Sequence, residues 1–193
     1  MGVLIISGSP RKKGNTETFL LILNSELEKN KIETEFICLS SKKINHCLHC
    51  DKCIGINQCI QKDDFNHIYE RMLYHKGLVI GSPVYVGAPS SLLLALIQRA
   101  TYVSFNNCHQ LSKKIGGPVA VGGESGQLAT INCLVDFYLV NEMFIPSSNY
   151  WNIGVGTQKG DIEKDKKGKS YIMRFGQNLA WLMKKLEEEK GYI

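Results

Sequence analysis

Apolar residues fall into dense runs separated by polar stretches, and the runs alternate between two textures. Val3-Leu4-Ile5-Ile6, Ile32 to Leu39, Gly77 to Ser82 and Ile115 to Gly123 are near-continuous or β-branched. That is the texture of strands covered on both faces of a parallel sheet. Between them apolar positions recur every three or four residues, as at Phe19, Ile22, Leu23 and Leu27, the spacing of one helix face. The pattern predicts a first strand over Gly2 to Ser7, then a helix with Asn15 as its N-cap. A second strand covers Ile32 to Leu39. Asp63 and Asp64 open a second helix through Tyr74, with their charge at its positive end. A third strand over Gly77 to Ser82 is followed by a helix from Pro89 to about Tyr102. A fourth strand covers Ile115 to Gly123, a fourth helix Gln127 to Met143 and a fifth strand Phe144 to Ile153. Val155 to Ser170 reads as a polar loop, and Tyr171 to Glu189 as a final amphipathic helix.

Five strand–helix alternations define an α/β chain with a parallel sheet and helices on both faces. No repeat or linker divides it, so residues 1–193 are expected to form a single domain. The exception to the rhythm is a long insert after the second strand, Ser40 to Gln61. A segment of that length without periodicity inside a domain points to function.

Composition narrows the class. Hydrophobic content of 44% supplies a core without disulfides, and an odd count of seven cysteines argues against a closed disulfide framework. The longest apolar runs, such as Leu92 to Ile97, are too short to span a membrane. The N-terminus reads as a strand and not a signal peptide, which makes the cytoplasm the expected compartment. Net charge is a modest +5 with scattered lysines, and Lys159 to Lys169 is interleaved with Asp161, Glu163 and Asp165. No nucleic-acid partner is expected from such a pattern.

Between the first strand and first helix lies Ser7-Gly8-Ser9-Pro10-Arg11-Lys12-Lys13-Gly14-Asn15-Thr16. Its glycines lack the G-x-G-x-x-G spacing, and Gly14 is not followed by Lys-Ser/Thr, so it is neither a dinucleotide fingerprint nor a P-loop. At a strand-to-helix turn, Ser9, Asn15 and Thr16 can donate to a terminal phosphate and Arg11 can pair with it. Two further loops follow the third and fourth strands: Gly81 to Pro89, with Pro83, Tyr85 and Val86 as flat apolar surface, and Gly122 to Gln127, where Gly122 and Gly123 allow close backbone approach. Ligands of open α/β sheets bind outside the carboxyl ends of strands, where these loops converge. A phosphate end beside a flat apolar slot describes FMN.

The ordered set Ser7-Gly8-Ser9-Pro10-Arg11, Gly14-Asn15-Thr16 and Gly81-Ser82-Pro83-Val84-Tyr85 resembles the NADPH-dependent FMN reductase group of flavodoxin-like proteins. The cysteine run ahead of Asp63-Asp64 is similar to its iron–sulfur flavoprotein branch. The likeness extends from Val3 to the last helix. It implies a doubly wound five-stranded sheet in the order 2-1-3-4-5, non-covalent FMN, and a homodimer or homotetramer. It also implies one [4Fe-4S] cluster exchanging electrons with the flavin. By motif match the phosphate loop falls on Ser9, Arg11, Gly14, Asn15 and Thr16. The ring-side segment falls on Pro83, Val84, Tyr85, Val86 and Gly87, and the glycine turn on Gly122 and Gly123. One departure is visible. Where many relatives place a lysine and an Asp-Arg pair in the following helix, this chain has an apolar stretch ending in Gln98-Arg99.

Cys47, Cys50, Cys53 and Cys59 are spaced C-x2-C-x2-C-x5-C. Zinc knuckles come as two separated C-x2-C pairs. Three cysteines at successive three-residue steps with a fourth close behind can surround an iron–sulfur cubane from one loop. Zinc, with His46 or His49 assisting, and uncoordinated redox-active thiols remain alternatives at this point. Cys38, Cys108 and Cys133 are expected to be small apolar packers. The functional expectation is a redox flavoprotein passing electrons between cluster and FMN, with no catalytic side chain required. The alternative is an NAD(P)H-dependent FMN or quinone reductase whose cysteines carry no cluster. The electron partner is a redox protein or a small-molecule acceptor.

Overall fold

The computed structural model describes residues 2–188; the terminal Glu189 of the expected last helix lies outside them. Strands β1 (Gly2–Ser7), β2 (Glu33–Cys38), β3 (Gly77–Pro83), β4 (Ile115–Gly122) and β5 (Ile153–Val155) form one sheet in the order β2-β1-β3-β4-β5. All neighbours run parallel, so every strand ends on the same edge. The helices are α1 (Asn15–Lys29), α2 (Phe65–Tyr74), α3 (Ser91–Phe105), α4 (Gln127–Val140) and α5 (Lys166–Glu188).

Strand alternation divides β1 between two cores. Val3 and Ile5 join Phe19, Leu20, Leu23 and Leu27 of α1 and Phe175 and Leu179 of α5. Leu4 and Ile6 join Ile68 and Met72 of α2, Leu93 and Leu96 of α3 and Leu134 of α4. Each side chain of that quartet is 0% exposed, worth roughly 1.5–3 kcal/mol apiece in burial. A strand covered on both faces cannot alternate apolar with polar, which is why β1 reads as an unbroken run.

The largest correction concerns the fifth strand, expected over Phe144 to Ile153. Phe144 makes an isolated parallel bridge to Ile115, and the ladder to β4 begins at Ile153. Pro146 has no N–H to give a ladder. The Ser148 hydroxyl then bonds the Tyr150 backbone on both sides and turns the chain out of the sheet. The final helix starts at Lys166, earlier than Tyr171. Asp165 accepts from the Gly168 N–H at 2.9 Å and the Val155 N–H at 2.8 Å, capping α5 and clipping it to β5. Three smaller differences sit at helix ends. Gly14, not Asn15, is the N-cap of α1; Ser90 caps α3; and α4 stops at Val140.

Candidate functional site

A chain of main-chain bonds links the loops at the carboxyl edge. Gly8 N–H donates to Gly81 O at 2.7 Å, Val84 N–H to Val121 O at 2.9 Å and Gly156 N–H to Gly122 O at 3.0 Å. Ser90 Oγ donates to Gly8 O at 2.7 Å, and Ser82 Oγ accepts from Ser90 N–H at 3.0 Å, locking the start of α3 to both β1 and β3. Main-chain bonds and two serine hydroxyls therefore fix the shape of the loops after β1, β3 and β4.

They enclose a cleft of about 210 Å³ lined by Ser9, Arg11, Gly14, Asn15, Thr16, Pro83, Val84, Tyr85, Gly122 and Gly123, among others. Ten of the twelve residues assigned to a flavin from sequence thus meet at one place. The α1 N-terminus faces this region, and its cap Gly14 offers no side-chain acceptor, so the first-turn N–H groups are left for an anion. Arg11 is exposed at the rim, while Ser9 and Thr16 are buried. Ser9 Oγ shapes the loop by bonding the Arg11 backbone.

Asn15 is spent differently from expectation. Its amide donates to Gln158 O at 2.8 Å and accepts from Gly160 N–H at 2.9 Å. It pins the β5–α5 loop over the cleft, and this brings Gly156, Thr157 and Lys159 into the lining. Their sequence carried no signal beyond polarity. Val86 and Gly87 do not line the cleft. They form the tip of a two-residue turn closed by reciprocal Tyr85–Ala88 bonds of 2.9 Å, with φ of 52° and 73°. Positive φ suits Gly87 but is an outlier for β-branched Val86, whose side chain points wholly into solvent. The flat apolar surface is supplied by Pro83, Val84 and Tyr85.

The cysteine insert is built on other principles. After a single 3₁₀ turn over Leu39–Ser41 it has no regular structure, and Asp51 and Asn57 lie at positive φ. Side chains from α2, α3 and the residues flanking them hold it instead. Asn107 Oδ1 accepts from Gly55 N–H at 2.8 Å, and its Nδ2 donates to Cys53 O at 3.0 Å. Asn66 brackets Cys59, accepting from its N–H at 2.9 Å and donating to its carbonyl at 2.7 Å. Asp63 and Asp64, expected as helix-dipole acids, turn back onto the insert: Asp63 Oδ2 accepts from Asn45 N–H at 2.9 Å and Asp64 Oδ2 from Lys43 N–H at 2.7 Å. Tyr102 donates to Asp51 and lies against the His49 ring at 5.0 Å.

This scaffold gathers Cys47, Cys50, Cys53 and Cys59 around one narrow cavity, together with Arg99, Tyr102 and Val103 of α3. Cys53 is buried, Cys47 and Cys59 are half-buried and Cys50 is exposed. Burial pushes the Cys53 thiol up, and the neighbouring Cys59, Cys47 and Cys50 push it the same way. Among the described residues no group of three or more His, Cys, Asp or Glu closes on a point that holds a single metal ion. Arg99 is 1% exposed and pairs with Asp63 at 2.6 Å. Burial lowers its proton affinity, but Asp63 and then Cys59 outweigh that and raise it. The remaining cysteines divide: Cys38 and Cys133 are half-buried, whereas Cys108, expected to pack, is exposed at a positive-φ turn.

Residues 1–158 match the family model described as NADPH-dependent FMN reductase. The chain is 34% identical over 195 residues to an iron-sulfur flavoprotein of Methanocaldococcus jannaschii, covering 97% of this chain and 100% of that protein. It is 31% identical to an iron-sulfur flavoprotein of Archaeoglobus fulgidus, covering 94% and 97%. Among solved structures, RosB with a bound riboflavin-phosphate intermediate superposes with TM-score 0.81 at 18% identity, covering 100% of this chain and 82% of that one. A flavodoxin WrbA-like protein of Agrobacterium tumefaciens superposes with TM-score 0.64 at 13% identity, covering 95% and 97%. These structural likenesses speak to the fold. Among the described residues no helix is long and apolar enough to cross a membrane.

Proposed function

Because this chain belongs to the NADPH-dependent FMN reductase family, in its iron–sulfur flavoprotein branch, we propose that it is an oxidoreductase that binds FMN at the carboxyl edge of the sheet, holds a [4Fe-4S] cluster on Cys47, Cys50, Cys53 and Cys59, and moves electrons between them. The observation that carries the cluster assignment is that all four cysteines of the insert line one cavity with a buried guanidinium whose Nε and Nη2 lack protein partners. A donor set of four thiols suits iron–sulfur chemistry. The FMN reading rests on the uncapped α1 N-terminus beside Ser9, Arg11 and Thr16.

FMN supplies two-electron exchange that can be released in single steps, and an iron–sulfur cluster carries electrons singly. The chain's own part is binding and placement. Arg11 and the α1 N–H groups take the phosphate; Pro83, Val84 and Tyr85 offer the ring a flat apolar wall. Gly122 lets the β4 end pack closely against its neighbours, since a Cβ there would meet the Gln127 and Val84 side chains at 3.1 Å. The Asn15 clamp on Gln158 and Gly160 closes one side against water. Electron exchange then runs with a redox protein or a small-molecule acceptor, and NAD(P)H is the donor to test first. Subunit association as a homodimer or homotetramer and a cytoplasmic location belong to the same proposal.

Anaerobic purification followed by absorbance, iron and labile-sulfide assays tests it. About four iron and four sulfide per FMN are expected. A flavin-only protein with stoichiometric zinc overturns the cluster assignment. A second reading, an NAD(P)H-dependent FMN or quinone reductase without a cluster, is favoured by the matched family model. Anaerobic mixing with NADPH or NADH separates the two: flavin bleaching in iron-free protein establishes it.

A further inference from the structure

Arg99 is the group in the molecule whose surroundings are least accounted for. It lies on α3, far in sequence from the insert, and its side chain is 1% exposed. One of its nitrogens is fully used: Nη1 donates to Asp63 Oδ2 at 2.6 Å and to Asn45 O at 3.0 Å. Its guanidinium plane sits over the Phe65 ring at 4.1 Å. The other two nitrogens, Nε and Nη2, are buried without any hydrogen-bond partner. They belong to a residue that walls the cavity of Cys47, Cys50, Cys53 and Cys59.

A purely structural role explains half of this geometry. An Arg99–Asp63 pair would tie α3 to the start of α2 and to the insert, and Nη1 suffices for that. Leaving the remaining N–H groups of a buried cation unpaired is costly, and native structures avoid it. Asp63 is ionised and offsets part of the guanidinium's charge, but its oxygens are taken by Arg99 Nη1 and by the Asn45 and Phe65 N–H groups, so it does not fill the Nε and Nη2 donors. The arrangement is a clamped guanidinium on the wall of the cysteine cavity, with one nitrogen filled by Asp63 and Asn45 and two unfilled. Thiolate and sulfide ligands are acceptors that arginine's fixed geometry fits, and lysine's single point of charge does not.

We propose that Arg99 is the positioning residue of the cysteine site: clamped by Asp63, it presents its unpaired N–H groups to the sulfurs of the bound iron–sulfur group, strengthening its retention and raising its reduction potential. The inference rests on the cluster reading above. Thiolate ligation leaves such a group net negative, and an added electron makes it more so. A fixed cation donating hydrogen bonds to its sulfurs favours that addition.

The test uses the full chain with FMN, reconstituted anaerobically with iron and sulfide. Wild type is measured first; if it takes up neither iron nor sulfide, the cluster reading fails and this proposal falls with it, before any variant is made. In cluster-bearing protein, Arg99→Gln is compared with wild type by iron per FMN and by a redox titration followed by electron paramagnetic resonance. We expect FMN binding to be unchanged. Reduction should become at least tenfold less favourable, a midpoint about 59 mV lower, or iron should fall below half of wild type. Asp63→Asn, which leaves the guanidinium in place, is expected to move the midpoint the other way. A merely structural pair does not give opposite signs. Arg99→Gln with wild-type iron and midpoint, or both variants shifting the midpoint together, overturns the proposal. If Arg99→Gln does not fold, the double variant Asp63→Asn/Arg99→Gln, which removes both charges, decides it by the same two readings.

Discussion

The cleft at the strand ends and the cysteine insert lie on one chain but are held by different forces. The cleft is shaped by main-chain bonds between successive loops, Gly8 to Gly81, Val84 to Val121 and Gly156 to Gly122, so the sheet itself sets its form. The insert has no such frame. Its backbone is caught by side chains reaching from outside it: Asn66 at Cys59, Asn107 at Gly55 and Cys53, Asp63 at Asn45. A site made by the sheet tolerates changes to its side chains without losing its shape. A site made by side-chain clamps depends on each of them, and can be lost while the rest of the fold stands.

The contrast can be broken in either direction. The largest effect is expected at the cleft: Arg11→Ala should weaken FMN binding ten- to hundredfold, about 1.5–3 kcal/mol for a charge-assisted phosphate contact. Riboflavin, lacking the phosphate, should bind both proteins alike, which isothermal titration would check. Equal losses for both ligands would remove Arg11 from the phosphate end. At the insert, Asn107→Ala leaves the Gly55 N–H and Cys53 carbonyl without their partner, at a cost of about 2 kcal/mol. Iron per flavin should fall while the FMN dissociation constant holds within a factor of two. A parallel fall in FMN affinity would mean that the two regions are coupled after all.

Away from both regions, Lys114 sharpens the comparison by acting on the fold alone. Burial, reinforced by the nearby Lys76, lowers its pKa from 10.5 to about 8, although it donates to Leu73 O at 2.9 Å and His75 O at 2.7 Å. Between those values the unfolded chain binds the proton and the folded chain does not. Stability therefore rises with pH across that window, by on the order of 2 kcal/mol. In urea unfolding, the stability of wild type minus that of Lys114→Met should rise with pH across this window by that amount. The smallest effect is expected at the turn beside the cleft. Val86→Asn places at φ 52° a residue that tolerates it and should add about 1 kcal/mol of stability. FMN affinity should stay put, since Val86 lies outside the cleft.

Sequence pattern was strongest where packing decides. Val3 to Ile6 had to be a two-faced strand, and β1 lies inside the sheet between β2 and β3. It failed at Phe144 to Ile153, where apolar and aromatic residues suggested a strand but Pro146 and the Ser148 turn break the ladder. The meeting of Ser9, Arg11 and Thr16 in one cleft was legible because a strand-to-helix turn has few geometries. Thr157 and Lys159 were not, because only the long-range Asn15 clamp brings their loop to the cleft. Likewise the cysteine spacing was visible, but Arg99 and Asn107 were not, because they meet Asn45 and Gly55 across 54 and 52 positions, a separation that leaves no local pattern to read.

Helix α3 carries a consequence for the proposed electron flow. Ser90, at its start, holds the loop after β1 through Gly8 O; Arg99, farther along, and Asn107, just past its end, hold the insert. At 1.5 Å of rise per residue, Ser90 and Arg99 are separated by roughly 13 Å along the axis. A hydrogen-bonded helix is nearly incompressible over such a span, whereas tunnelling rates fall steeply with separation. The helix is therefore a ruler. Loops on either side can drift in sequence, but under the proposed function the gap between the two sites within one chain is set by the nine-residue step from Ser90 to Arg99.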